Sequence, residues 1–225
     1  MQARRRRAAS LNTIQGMRRK NQTERRQQLT QAARQVLLER GAVGVRVKDV
    51  AERAGMAPSS VLYYYPSLDE LLIEVSRGAI ERFAERRAAA VRRVMGPARQ
   101  LRLAIHLGVP SGPDDTDSRL LYELDAFTGS SSAFGILTSS YFDRQAVLYE
   151  SVLEAGAAAA EFDLTADALT VARGLVALED GLGLQVVVGH PSIDSATAED
   201  ILVRYAQMAT GAQLADLARD EVPAD

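Results

Sequence analysis

The chain has 225 residues, no cysteine, 47% apolar and 25% charged side chains and a net charge of −2, an ordinary balance for a soluble globular protein. The missing cysteines exclude disulfides, thiolate metal sites and a cysteine nucleophile, and no apolar run reaches the length of a membrane span. The small net charge conceals a division: residues 1–66 carry 14 Lys+Arg and 4 Asp+Glu, whereas residues 67–225 carry 13 and 25.

In chain order, residues 1–20 read as a disordered basic arm with two clusters, Arg4–Arg7 and Arg18-Arg19-Lys20. The arm has no apolar core region, so it is not a secretory signal, and a cytoplasmic protein is expected. A first helix begins near Asn21 or Thr23, both good caps. Leu29, Ala32, Ala33, Val36 and Leu37 recur along it at helical spacing, and Gly41 ends it. Short helices follow at about 46–53 and 58–64, then a long one from Asp69-Glu70 to a Gly96-Pro97 stop. Five more are expected over 97–108, 115–128, 132–156, 165–189 and 195–217. The fold is therefore all-α, about nine helices, with no alternating strand pattern and no internal repeat. The expected division is an arm over 1–20, a helix-turn-helix domain over 21–66 and a larger helical domain over 67–225.

The informative segment runs from Val47 to Tyr65. Two helices that cross closely need a small residue at the crossing, a glycine in the turn and a branched apolar residue packing the second helix on the first. Ala51, Gly55 and Val61 fall at those places, with Val50, Ala54, Met56 and Tyr64 as apolar neighbours. A plain αα-hairpin would share the pattern, but here it sits in a basic surround. Pro58 suits the first turn of the second helix. Ala57, Ser59, Ser60 and Tyr63 are then placed to meet base edges of double-stranded DNA.

The order Gly41, Asp49-Val50-Ala51-Glu52-Arg53-Ala54-Gly55, Tyr63-Tyr64-Tyr65-Pro66-Ser67, Glu70-Leu71-Leu72 resembles the tetracycline-repressor (TetR/AcrR) family of bacterial regulators. The resemblance implies a homodimer that binds a palindromic operator and is released by a small-molecule effector. Beyond about residue 75 it rests on helix number and on echoes at Gly156, Phe162 and Asp180-Gly181-Leu182. Three positions depart from the family pattern: Arg46 replaces a capping Thr or Ser, Leu62 a Tyr that meets phosphate, and Leu68 a Lys. Phosphate contacts are therefore expected from Arg46, Lys48, Tyr63, Tyr64 and the arm residues Arg18, Arg19 and Lys20.

In the C-terminal part, the 165–189 segment is apolar nearly all round, and the last helix carries one stripe, Ile201, Leu202, Tyr205, Met208 and Ala209. Leu175, Val176, Ile201, Tyr205 and Met208 are the expected dimerisation residues. Glu179 lies on the line of Val171, Leu175, Leu182 and Val186, so its carboxylate needs a partner. That partner is either a cationic or hydroxyl-bearing ligand or an internal arginine, for which Arg144 and Arg173 are candidates. Tyr141, Phe142, Gln145 and Tyr149, and after them Tyr122, Asp125 and Phe127, are further effector-site candidates. No enzyme motif appears: Gly181-Leu182-Gly183 lacks a third glycine and a preceding strand, and His106 and His190 are far apart. His106 is expected to be exposed beside Arg102. The Asp114-Asp115-Thr116-Asp117 cluster reads as a helix start. No catalytic residue, cofactor or metal is expected. The alternatives are a nucleoid-type protein that grips nucleic acid without a ligand, and a small-molecule-binding helical bundle.

Overall fold

A computed structural model describes residues 2–125, 127, 129 and 131–214, with side chains from Asn21 onward. Among them are nine helices: α1 (Gln2–Gly44), α2 (Val47–Arg53), α3 (Pro58–Tyr64), α4 (Leu68–Arg93), α5 (Pro97–Gly108), α6 (Thr116–Asp125), α7 (Ser132–Ala158), α8 (Ala168–Val187) and α9 (Ser195–Thr210). The all-α expectation holds. The backbone of residues 2–20 belongs to α1, where a disordered arm and a helix start near Asn21 or Thr23 were expected; the side chains of Arg18, Arg19 and Lys20 lie outside those described. Two compact units form, Met1–Val75 and Ser76–Asp225.

In the first unit the helical spacing of α1 becomes one buried face, Leu29, Ala32, Ala33, Val36 and Leu37. Gly41 interrupts α1 with φ 68° and ψ 173°, a conformation that glycine adopts without strain. Val50 and Ala51 of α2, Val61 of α3, and Tyr65, Leu71 and Leu72 close the core. Gly55 turns the chain between α2 and α3 at φ +64°. Gln28 Nε2 donates to the Ala54 carbonyl at 2.9 Å, fastening α1 to that turn.

In the second unit, five successive residues of α5, Leu101 to Ile105, are all buried, which makes α5 the centre against which α7, α8 and α9 pack. Side-chain caps start α7, α8 and α9, among others: Ser131 accepts from the Phe134 amide, Asp167 from that of Thr170 and Asp194 from that of Thr197. Asp115 Oδ1 accepts from the Ser118 amide at 2.9 Å, so the acidic cluster opens α6 as expected. The last helix stops at Thr210 rather than 217, because Gly211 takes the left-handed conformation at φ 68° that ends helices. No described helix is long and apolar enough to cross a membrane.

Candidate functional site

The first unit presents α3 outward. Val61 and the following Tyr65 are buried, which fixes the rotation of the helix. Ala57, Pro58, Ser59, Leu62 and Tyr63 are then exposed, whereas Ser60 and Tyr64 are partly turned inward. Tyr63 is 74% exposed and meets the Tyr64 ring edge-on at 5.2 Å between centroids. The Tyr64 carbonyl accepts from Arg26 Nη1 at 3.1 Å, and the Arg26 guanidinium lies 4.2 Å from the centre of the buried Tyr65 ring.

The cations around α3 are partly committed to structure. Arg40 pairs with Asp49 at 2.6 Å and Arg53 with Glu39. Arg46 is exposed, but its Nη1 donates to the carbonyls of Val43 and Val45 at 2.7 and 2.9 Å, at the α1–α2 corner. It thus satisfies backbone acceptors where the family pattern would place a hydroxyl cap. Lys48 is exposed on α2.

The second unit gathers a buried polar cluster around Arg87 of α4. Its guanidinium donates to both oxygens of Glu179 at 2.7 and 2.6 Å. It also donates to Gln145 Oε1 at 2.6 Å, Tyr149 Oη at 2.8 Å and the Ala104 carbonyl from two nitrogens at 3.1 and 2.7 Å. Tyr149 donates to Glu179 Oε2 at 2.6 Å. Three sequence-expected residues, Glu179, Gln145 and Tyr149, therefore meet, held by one that was not expected. Arg144 and Arg173, the anticipated partners of Glu179, are exposed. The signal for Arg87 was present, since it lies on the α4 line Val75, Ala79, Phe83, Val91 and Val94. Burial opposes the charge of Arg87, but Glu179 and Tyr149 beside it hold the guanidinium above its ordinary value. Gly108 lets α5 approach, because a methyl group there would overlap the Glu179 carboxylate and the Arg87 guanidinium.

A second set of polar groups lies beside the first. Tyr122 donates to the Asp180 carbonyl at 3.2 Å, and Thr138 donates to Asp125 Oδ1 at 3.3 Å. Asp125 and Asp180 have no ion-pair partner among the described residues. Burial, reinforced by Glu179 and Asp125, pushes the Asp180 carboxyl up to about 7. Burial raises Asp125 as well. A small cavity of about 20 Å³ between α4, α6 and α7 is lined by Ser76, Ile80, Asp125, Phe134, Thr138 and Tyr141 among others. Tyr141 meets the Phe83 ring edge-on at 6.0 Å, and Phe127 stacks on Phe134 at 5.4 Å. Phe142 packs against the core. No group of acidic and histidine side chains with metal-binding geometry occurs among the described residues.

Three expectations need correction. Leu175 and Val176 cannot form a dimer face: each is 0% exposed, inside the core of its own unit. The outward line of α8 is instead Ala177, Gly181, Leu184 and Val188, and on α9 Ile201 and Met208 are exposed while Tyr205 is half-buried. Arg102, beside which His106 was expected to be exposed, is itself buried, paired with the equally buried Glu199 of α9. His106 is only partly exposed, with Nδ1 3.2 Å from Glu199 Oε2.

Residues 29–75 match the family model described as bacterial regulatory proteins, tetR family. The HTH-type transcriptional regulator BetI of Agrobacterium fabrum is 25% identical over 189 residues, covering 82% of this chain and 87% of that protein. PksA of Bacillus subtilis, also an HTH-type transcriptional regulator, is 25% identical, covering 82% of this chain and 89% of its own length. Among solved structures, a putative transcriptional regulator from Saccharomonospora viridis in complex with choline superposes with a TM-score of 0.76 at 22% identity, over 84% of this chain and 98% of that one. The multidrug binding protein EbrR, complexed with imidazole, gives 0.59 at 28% identity, over 80% and 94%.

Proposed function

Because the chain is a transcriptional regulator of the TetR family, we propose that it acts as a homodimeric, ligand-responsive repressor of a palindromic operator. The observation that carries this reading is the outward face of α3. Val61 and Tyr65 bury one side of the helix, leaving Ala57, Pro58, Ser59 and Tyr63 free to enter a major groove. Lys48, Arg46 and the arm residues Arg18, Arg19 and Lys20 supply phosphate contacts. For Arg46 that contact requires leaving the Val43 and Val45 carbonyls. A twofold dimer reads a twofold site. The apolar lines Gly181, Leu184 and Val188 on α8 and Ile201 and Met208 on α9 support dimerisation, since water-exposed apolar stripes of that kind mark interfaces.

We assign the effector site to the region of the cavity bordered by Asp125, Phe134, Thr138 and Tyr141, with Asp180 and Tyr122 nearby; at about 20 Å³ it has room for one water, so an effector enters only as α4, α6 and α7 separate. Arg87 already compensates Glu179, so Glu179, Gln145 and Tyr149 are assigned to a structural cluster rather than to the ligand. Among the described residues Asp125 and Asp180 form no ion pair, and a cationic effector supplies one. That choline occupies one structural relative and imidazole another is consistent with small nitrogenous ligands. A ligand regulates only by favouring one state over the other, here the state whose two reading heads no longer match the operator.

The test is a fluorescence-anisotropy titration of palindromic DNA with the wild-type chain and with Ser59→Ala and Tyr63→Ala. We expect tight, salt-sensitive binding that both substitutions weaken selectively on the operator and not on random DNA. Equal affinity for every duplex would favour the nucleoid-type alternative and overturn the reading.

A further inference from the structure

The outward face of α3 lacks the side chains that most often read bases. Arginine and lysine recognise guanine, asparagine and glutamine recognise adenine, and acidic groups recognise cytosine. None occurs from Pro58 to Tyr64, whose sequence is Pro-Ser-Ser-Val-Leu-Tyr-Tyr. What the face offers is small, hydroxylic or apolar: Ala57, Pro58, Ser59, Leu62 and Tyr63. Leu62 is the unusual member, because it stays 45% exposed on a helix whose core contacts are made by Val61 and Tyr65. Ser59, Leu62 and Tyr63, at spacings of three and four, form one continuous strip on the helix surface. Hydroxyls donate or accept toward any base, so Ser59 and Tyr63 contribute to binding at the site but do not by themselves account for the choice of base. An apolar side chain in the major groove has one distinctive target, the 5-methyl group of thymine.

We propose that this chain selects its operator through thymine methyl groups, with Leu62 as the specificity-determining side chain and Tyr63 packed beside it. The inference rests on α3 being the DNA-reading helix, as set out above, and adds which bases it reads and how. It also gives the family departure at residue 62 a purpose: a side chain that cannot hold a phosphate takes up base discrimination. The expected operator half-sites are thymine-rich where α3 lies.

Deoxyuridine differs from thymidine only by the missing methyl, so it isolates the proposed contact. The full chain is used to select its site from a random duplex pool, and each thymine of the selected site is then replaced singly by deoxyuridine. At one or more positions per half-site, affinity should fall about fourfold for each contacted methyl, the equivalent of one buried methylene. Leu62→Ala should bind the thymine site more weakly and show no further loss when that thymine becomes deoxyuridine. Because Leu62 is exposed, the variant should melt with the wild-type chain, so a folding defect is separable. Deoxyuridine operators that all bind as tightly as thymine operators would overturn the proposal while leaving the regulator reading intact. A Leu62→Ala chain that keeps the full deoxyuridine loss would overturn the assignment to Leu62. A pool that enriches no sequence at all would overturn the regulator reading itself, and this inference with it.

Discussion

Replacing Glu179 by glutamine keeps the shape of the side chain and removes its charge. Arg87 is left as a guanidinium whose side chain is 1% exposed, with no counter-charge and only neutral acceptors, the new amide oxygen, Gln145, Tyr149 and the Ala104 carbonyl, while the new amide NH2 is a donor turned toward a cation. In water those neutral bonds would suffice, but here no solvent reaches the charge. Two unit charges about 4 Å apart attract by about 4 kcal/mol at an effective dielectric of about 20. Removing one partner of a buried pair accordingly costs about 3–5 kcal/mol. For a chain of this size, each kcal/mol lowers the melting temperature by roughly 2–4 °C, so Glu179→Gln should melt about 6–20 °C below the wild type. The decisive control is Arg87→Met combined with Glu179→Leu, which removes both charges and should recover most of the loss. Thermal melting by circular dichroism reads all three proteins, and an effector titration on the glutamine variant, run below its melting point, should be normal. A glutamine variant within about 1 kcal/mol of the wild type, by the same scale, would refute the buried-pair argument. A stable variant that had lost its response to effector would instead return Glu179 to the ligand.

Three further outcomes follow from the same residues. Gly108→Ala inserts a methyl into the Arg87–Glu179 pair and should cost about 1–3 kcal/mol by overpacking, measured by urea denaturation; an unchanged midpoint contradicts the close approach. Asp180 holds a proton in the folded chain up to about pH 7, whereas its ordinary value is 3.8. The native state therefore binds more protons between those values, and stability falls as pH rises from about 4 to about 7, with no further change above. Asp180→Asn removes that term, so its melting temperature should gain on the wild type across this window; a pH-independent gap contradicts it. Leu184→Glu with Met208→Glu puts charges on the exposed lines of α8 and α9 and should yield a folded monomer by sedimentation, whereas an intact dimer would move the interface elsewhere.

The helix-turn-helix was legible because its constraints are local: Ala51, Gly55 and Val61 lie within eleven residues, and their roles follow from close packing and one turn. The start of α9 was legible at 195, beside Asp194, whereas α8 begins at Ala168 rather than 165, because Asp167 caps it. The end of α9 was misjudged because the apolar pattern continues past Gly211, whose left-handed turn stops the helix first. The partner of Glu179 was missed because Arg87 is 92 residues away in sequence. Periodicity shows that a charge needs compensation, yet only the fold, which brings Arg87 of α4 to Glu179 of α8, selects which arginine provides it. Leu175 and Val176 were misassigned for a related reason. A helix apolar on all sides does not declare which side meets its own core, and here the small and aliphatic residues Ala177, Gly181, Leu184 and Val188 face outward instead.

The central claim, that this chain recognises a specific DNA site as a twofold dimer through α3, is tested most directly by footprinting it on a DNA fragment containing its selected site. Two protected half-sites related by a dyad are expected, their centres roughly 34–36 Å or a multiple of that apart along the duplex, with protection lost when Tyr63 and Ser59 are replaced by alanine. Uniform protection along the fragment, or a footprint unchanged in those variants, would contradict it.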